Sequence, residues 1–204
     1  MILAASGFFG RLDNISGHWW FLAVIAVIAF LDSVIPVVPS ETCVIIGGVA
    51  AGIGHYPIVA VIACGAVGAF LGDNSAYQIG MWAGPWVERR AERKPKTAAR
   101  LAWARDQIRE RGGLLMVTAR FIPGGRTALT VSSGLTRQPR LWFSAWVAVA
   151  VTVWAAYAAL LGYLGGKAFA DNHTTAFLVA FGGAIGVTIL TEVVRHYRKS
   201  SVPA

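Results

Sequence analysis

Charge is what this chain has least of. Only 14% of its 204 residues are charged and ten are acidic, while 56% are apolar; an ordinary soluble domain is about 25% charged. Three stretches, 141–166, 174–191 and 56–72, hold no Asp, Glu, Lys or Arg, and the last continues to Val87 with Asp73 as its only charge. A bilayer core needs about 20 apolar helical residues, so runs of this length exclude a soluble globular fold and predict membrane spans. The run from Trp19 to Leu31 begins a fourth, shorter span that ends at Asp32. Four spans in a chain of this size predict one membrane domain over 1–204, with no room for a soluble module.

Cysteine and histidine are scarce too. Cys43 and Cys64 lie in apolar surroundings without a CxxC or a histidine partner, which reads as inert buried thiols and predicts no metal site. His55, His173 and His196 fall in loops or the tail. Ser16-Gly17-His18 superficially resembles a phosphatase element, but it precedes the first span and has neither the companion Lys-to-Arg-Pro motif nor a second His backed by Asp. The sequence therefore predicts no catalytic residue, no cofactor and no enzyme. A cleavable signal is not expected either, because Arg11 and Asp13 precede the apolar run and no small-x-small site follows it.

The charge that is present is concentrated. Residues 88–111 carry nine basic and four acidic side chains, and Arg195, Arg198 and Lys199 follow the last apolar run. The positive-inside rule puts this basic loop, 88–112, and the tail, 195–204, in the cytoplasm, with both termini there. Attraction to anionic membrane lipids is a second use for the loop. Nucleic-acid binding is not expected, since no recognition motif accompanies these residues. Within the loop, 97–111 reads as a helix capped by Thr97 and ended by Gly112.

Two segments are moderately apolar yet broken by proline and glycine. Residues 36–54 carry Pro36, Pro39 and Glu41 before Gly47-Gly48, and 113–134 carry Arg120, Pro123, Gly124, Gly125 and Arg126 before Gly134. Both read as re-entrant hairpins, tolerated at membrane depth only where protein or trapped water satisfies the freed backbone. Threading the charges through the membrane puts one hairpin in from each face. The expected architecture is thus all-α: about four transmembrane helices plus two opposed re-entrant hairpins in an inverted repeat. Gly80 and Gly84 close the long span of one half as Gly162 and Gly166 close that of the other.

The candidate site follows from the broken segment. On a straight helix Arg120 and Arg126, six apart, face different directions. The Pro123-Gly124-Gly125 break frees them to turn toward one point, and two permanent cations in a membrane suit an anion, above all a phosphate. Asp32, Glu41 and Asp73 are the intramembrane carboxylates. Asp73 and Tyr77, four apart, share a helix face beside a ridge of Gly72, Ala76, Gly80 and Gly84 that admits a close neighbour. Ionisable groups at this depth cost at least about 2.5 kcal/mol each. They either pair with the arginines for stability alone, or one carboxylate takes up a proton and releases the arginines for an anionic substrate.

With these motifs in place, the chain resembles the DedA family, whose shared region is also called the VTT or SNARE-associated domain. Phe30-Leu31-Asp32 followed by Pro39-Ser40-Glu41 is similar to that family's acidic pair, with Asp where Glu is commoner first and Glu where Asp is commoner second. Gly72-Asp73-Asn74-Ser75-Ala76-Tyr77-Gln78-Ile79-Gly80 is similar to its Gly-Asp, Tyr, Ile-Gly pattern. Arg120 to Arg126 matches its arginine pair in spacing, and Gly134 its following glycine. The resemblance covers about 20–190. It implies a multi-pass protein of the inner (plasma) membrane that moves a phosphate-bearing lipid, undecaprenyl phosphate or another polyprenyl phosphate first and phosphatidylethanolamine-type phospholipids as the alternative, with protons as coupling partner. It also implies that Asp32 and Glu41 are essential acids and Arg120 and Arg126 essential arginines. A lipid-phosphate phosphatase and a structural assembly protein are the rivals of other classes. Gly182 and Gly186 serve equally a seam within the monomer or one in a homo-oligomer.

Overall fold

A computed structural model describes residues 16, 18–35, 40–122 and 124–168. The expected last span, the cytoplasmic tail, the Gly182–Gly186 pair, Pro39 and Pro123 lie outside the described residues. All regular structure among them is helical: α1 (Trp20–Val34), α2 (Ser40–Gly52), α3 (Ile58–Arg93), α4 (Pro95–Thr118), a 3-10 turn (Ala119–Phe121), α5 (Gly125–Leu135) and α6 (Arg140–Ala168). At 1.5 Å per residue, α3 (36 residues) runs about 54 Å and α6 (29 residues) about 43 Å, beyond the roughly 30 Å of a hydrocarbon core. Both are apolar enough to cross a membrane. With 13 and 11 residues, α2 and α5 reach only about 20 Å and 16 Å.

The chain divides into two compact units. In one, α2 lies on the far half of α6. A methyl placed on Gly48 would strike the Ala159 carbonyl, one on Gly162 the Ile45 carbonyl, and one on Gly166 would come within 2.6 Å of Val49 O. Small residues on both helices are what allow such backbone-to-backbone approach. Ile25 and Val61 close over Gly47, and the Trp19 and Tyr56 rings pack at 6.0 Å.

In the other unit the same contact recurs between α5 and α3. Gly80 abuts the Val131 carbonyl and Gly134 the Tyr77 carbonyl. Gly80 and Gly162 both stand 22 residues after the first residue of their helices, and each faces a carbonyl three residues before the partner glycine. The ridge read from the sequence receives two helices: Gly72, with Gly68 one turn before the ridge, lets α1 rest on α3 at Ala26, Phe30 and Ser33, while Gly80 receives α5.

The basic segment 88–112 is largely helical: α3 continues through Pro85 to Arg93 and α4 opens at Pro95. Two local expectations within it are corrected. Lys94, not Thr97, holds the cap position; Pro95 sits at the start of α4, where its missing N–H would lack a helical partner in any case. Nor does Gly112 end α4, which runs on to Thr118. Gly112 and Gly113 lie under the Trp142 and Trp146 rings of α6, so these glycines make room for indoles instead of terminating the helix.

Candidate anion site

The break between α4 and α5 follows from three residues. Ile122 precedes a proline, which disfavours helical geometry, and it is extended at φ −111°, ψ 117°. Gly124 takes φ +71°, a left-handed conformation that glycine adopts without penalty, and α5 starts at the next residue. Arg120 therefore projects from the 3-10 turn before the break and Arg126 from the first turn of α5.

Both arginines reach Asp73 in α3. Arg120 Nη2 pairs with Asp73 Oδ2, and Arg126 Nε stands 3.8 Å from Asp73 Oδ1. Arg126 Nη2 lies 3.1 Å from Asp32 Oδ2 at the end of α1. Asp73 is fully buried and the Arg120 side chain 2% exposed, whereas Arg126 and Asp32 are 11% and 17% exposed. The packing explains the convergence. Gly72 brings the end of α1 against α3, Ser33 Oγ donates to the Ala69 carbonyl at 3.3 Å, and Thr127 Oγ1 donates to the Ser33 carbonyl at 3.4 Å, tying α5 to α1.

Two carboxylates and two guanidiniums balance in charge, yet the hydrogen bonds do not balance. Among the described residues Arg120 Nε and Nη1, both buried, have no hydrogen-bond partner, and neither has Asp73 Oδ1. A buried donor left unmade costs about 1–3 kcal/mol, more when charged. Three N–H groups of Arg120 are thus left without an acceptor among the described residues. Its guanidinium carbon lies 5.8 Å from the ring centre of the buried Trp154, which holds the group as a cation–π partner.

Of the residues singled out by sequence, the structure assembles Asp32, Asp73, Arg120 and Arg126. Glu41 stands in the first turn of α2, in the other unit, where its charge acts on Tyr157. Tyr77 supports the site from the side: its hydroxyl donates to the Gln138 carbonyl at 2.6 Å and its ring stacks on Phe143 at 4.5 Å. Gly124 and Gly125 shape the break, and Gly134 is a packing contact. Sequence reading missed Trp154, Ser33 and the Ser144 hydroxyl that donates to Asn74 Oδ1 at 2.9 Å. Trp154 sits 34 residues beyond Arg120 in a run of apolar residues, and nothing in its spacing marks it.

The VTT domain family profile matches residues 38–164. An uncharacterized membrane protein of Synechocystis sp. (strain ATCC 27184 / PCC 6803 / Kazusa) is 28% identical over 83% of this chain and 78% of its own length. One of Mycobacterium tuberculosis (strain ATCC 25618 / H37Rv) is 26% identical over 96% of this chain and 85% of its own length. Undecaprenyl phosphate transporter A of Bacillus subtilis (strain 168) is 24% identical over 70% of this chain and 72% of its own length. No solved structure matches the chain.

Proposed function

We propose, from the premise that this chain belongs to the VTT-domain (DedA) family of membrane proteins, that it is a transporter moving a phosphate-bearing lipid between leaflets. A polyprenyl phosphate of the undecaprenyl type is the first substrate, and protons are the coupling partner. The observation that carries this reading is Arg120, a buried guanidinium with three N–H groups that find no acceptor among the described residues. A phosphate monoester supplies charged oxygens in the geometry that a guanidinium fork matches, and arginine stays charged when buried. The distant Bacillus subtilis relative named for undecaprenyl phosphate supports the same substrate class. In this reading α2 and α5, too short to cross, are the re-entrant arms of an inverted repeat, as their matched glycine contacts support. Both termini are cytoplasmic, the membrane is the inner (plasma) membrane, and Glu41 gates access.

The test is a leaflet-accessibility assay on the purified protein in liposomes, with polyprenyl phosphates and phospholipids compared, with and without a pH gradient. Chemically unchanged polyprenyl phosphate should appear in the opposite leaflet, faster with the gradient. Movement of phospholipids in preference would replace the substrate, and release of inorganic phosphate would make the protein a phosphatase instead.

A further inference from the structure

We infer that Asp73 is the carboxylate that takes the proton when a lipid phosphate binds, one proton per lipid. This rests on the transport reading above and assigns the proton within that site.

Three observations single out Asp73. Among the described residues Asp73 has ion pairs to both arginines, through Oδ2 to Arg120 and Oδ1 toward Arg126, whereas the ion pair of Asp32 is to Arg126, with its charge acting on Arg120 from further off. It has no way out. Asp73 is fully buried in the interior of a 36-residue helix, with α1 packed on Gly72 and α5 on Gly80. Asp32 stands two residues from the end of α1 and is already 17% exposed. Finally, Asp73 Oδ1 is a buried acceptor with no hydrogen-bond partner among the described residues, so a proton can be placed there without displacing one.

The charge balance follows from these contacts. The groups that face Asp73 are Arg120 from the 3-10 turn, Arg126 from α5 and the Ser33 hydroxyl from α1, with Asp32 of α1 acting on both arginines. From α6 the nearest contribution is the uncharged Trp154 ring, beneath Arg120. A dianionic phosphate that takes the guanidinium donors leaves two arginines facing four negative charges. Asp32 can turn toward water. Asp73 cannot, and an unpaired buried carboxylate costs so much that it neutralises instead. An O–H bond forms at Oδ1 with a proton from the aqueous phase, and Arg120 Nη2 passes from carboxylate to phosphate. On release at the other face that O–H bond breaks, the proton goes to water, and the carboxylate takes back Arg120.

The experiment measures proton uptake on adding a polyprenyl phosphate to the purified protein in weakly buffered nanodiscs containing a pH dye. It is run between about pH 7.5 and 9, above the phosphate's own second ionisation near 6. The wild type should take up about one proton per lipid bound, so affinity should fall about tenfold for each pH unit gained. Asp73→Asn should bind with uptake below about a tenth of that and with an affinity flat in pH, because the amide mimics the protonated acid without exchanging a proton. An Asp32→Asn/Glu41→Gln double variant, which leaves Asp73 as the candidate acid, should keep its uptake per bound lipid even if Asp73→Asn does not fold. Binding without uptake in the wild type overturns the inference and leaves the transport reading standing. Uptake that persists in Asp73→Asn, or disappears in the double variant, overturns it as well. Absence of any binding by the wild type removes the transport reading itself.

Discussion

The backbone at Gly134 rests directly on the carbonyl oxygen of Tyr77, with no space for a side chain between α5 and α3. That contact fixes the height of α5 on α3, and Arg126 is carried on the same helix eight residues earlier. A methyl at Gly134 must push the helices apart, since the obstruction is backbone and cannot rotate away. Gly134→Ala should destabilise the protein by about 1–3 kcal/mol and depress transport with it. Gly84→Ala is the control. There the new carbon would meet Leu135 O at 3.7 Å, an ordinary contact, and the effect should stay within about 0.5 kcal/mol. Thermal unfolding in one detergent compares the two, and equal effects would mean that the contact does not set the site.

Arg126 uses two different nitrogens for two different acids, Nη2 for Asp32 at 3.1 Å and Nε toward Asp73 at 3.8 Å. Lysine has one point charge and cannot reproduce that fork. Arg126→Lys should therefore fail in transport nearly as badly as Arg126→Ala, each by about 10–100-fold, the worth of a charge-assisted hydrogen bond of about 1.5–3 kcal/mol. Expression should be largely intact. Normal transport by the lysine variant would show that charge alone suffices and that the planar geometry is incidental.

Trp154 lies beneath the Arg120 guanidinium and acts on the site through it, which makes it a positioning residue. A desolvated cation–π contact is worth up to about 2 kcal/mol, or roughly thirtyfold in affinity. Trp154→Leu should weaken polyprenyl phosphate binding by about tenfold or more, and Trp154→Phe, which keeps a ring face, by only about two- to threefold. If leucine and phenylalanine weaken binding equally, the ring acts as bulk and not as a partner of the cation.

Much of the site was legible because its chemistry is unusual where it stands. A carboxylate and two arginines are so costly among apolar runs that Asp73, Arg120 and Arg126 marked themselves. The break that turns the arginines together is written in Pro123-Gly124-Gly125, and Ile122 and Gly124 adopt the backbone angles it requires. The same residue type misled elsewhere. Gly112-Gly113 looked like a helix end, yet glycine serves close packing as readily as termination, and the Trp142 and Trp146 rings that need the space lie some 30 residues further on. Lys94 makes no side-chain capping bond at the start of α4, and Pro95 behind it is the residue that marks that start. Trp154 and Ser33 are ordinary apolar-helix residues until the fold sets one under Arg120 and the other on Ala69.

Paired replacement of Asp73 and Arg120 separates a working site from a structural one. Removing one member of a buried ion pair strands its partner, at about 3–5 kcal/mol, while replacing both by apolar groups is often neutral. Asp73→Leu should therefore destabilise markedly, since Arg120 would then keep no carboxylate on any of its nitrogens. Asp73→Leu/Arg120→Leu should recover most of that stability, and the unfolding curves of single and double variants measure the recovery. A protein that merely braces membrane assemblies would regain its function along with its fold. A transporter would not, because the double variant has neither the unspent donors nor the carboxylate that competes for them. Recovered stability with transport still lost, in liposomes that hold the double variant at wild-type density, is the expected result. Transport by the double variant would show that the buried pair serves the fold and that the lipid phosphate is held elsewhere.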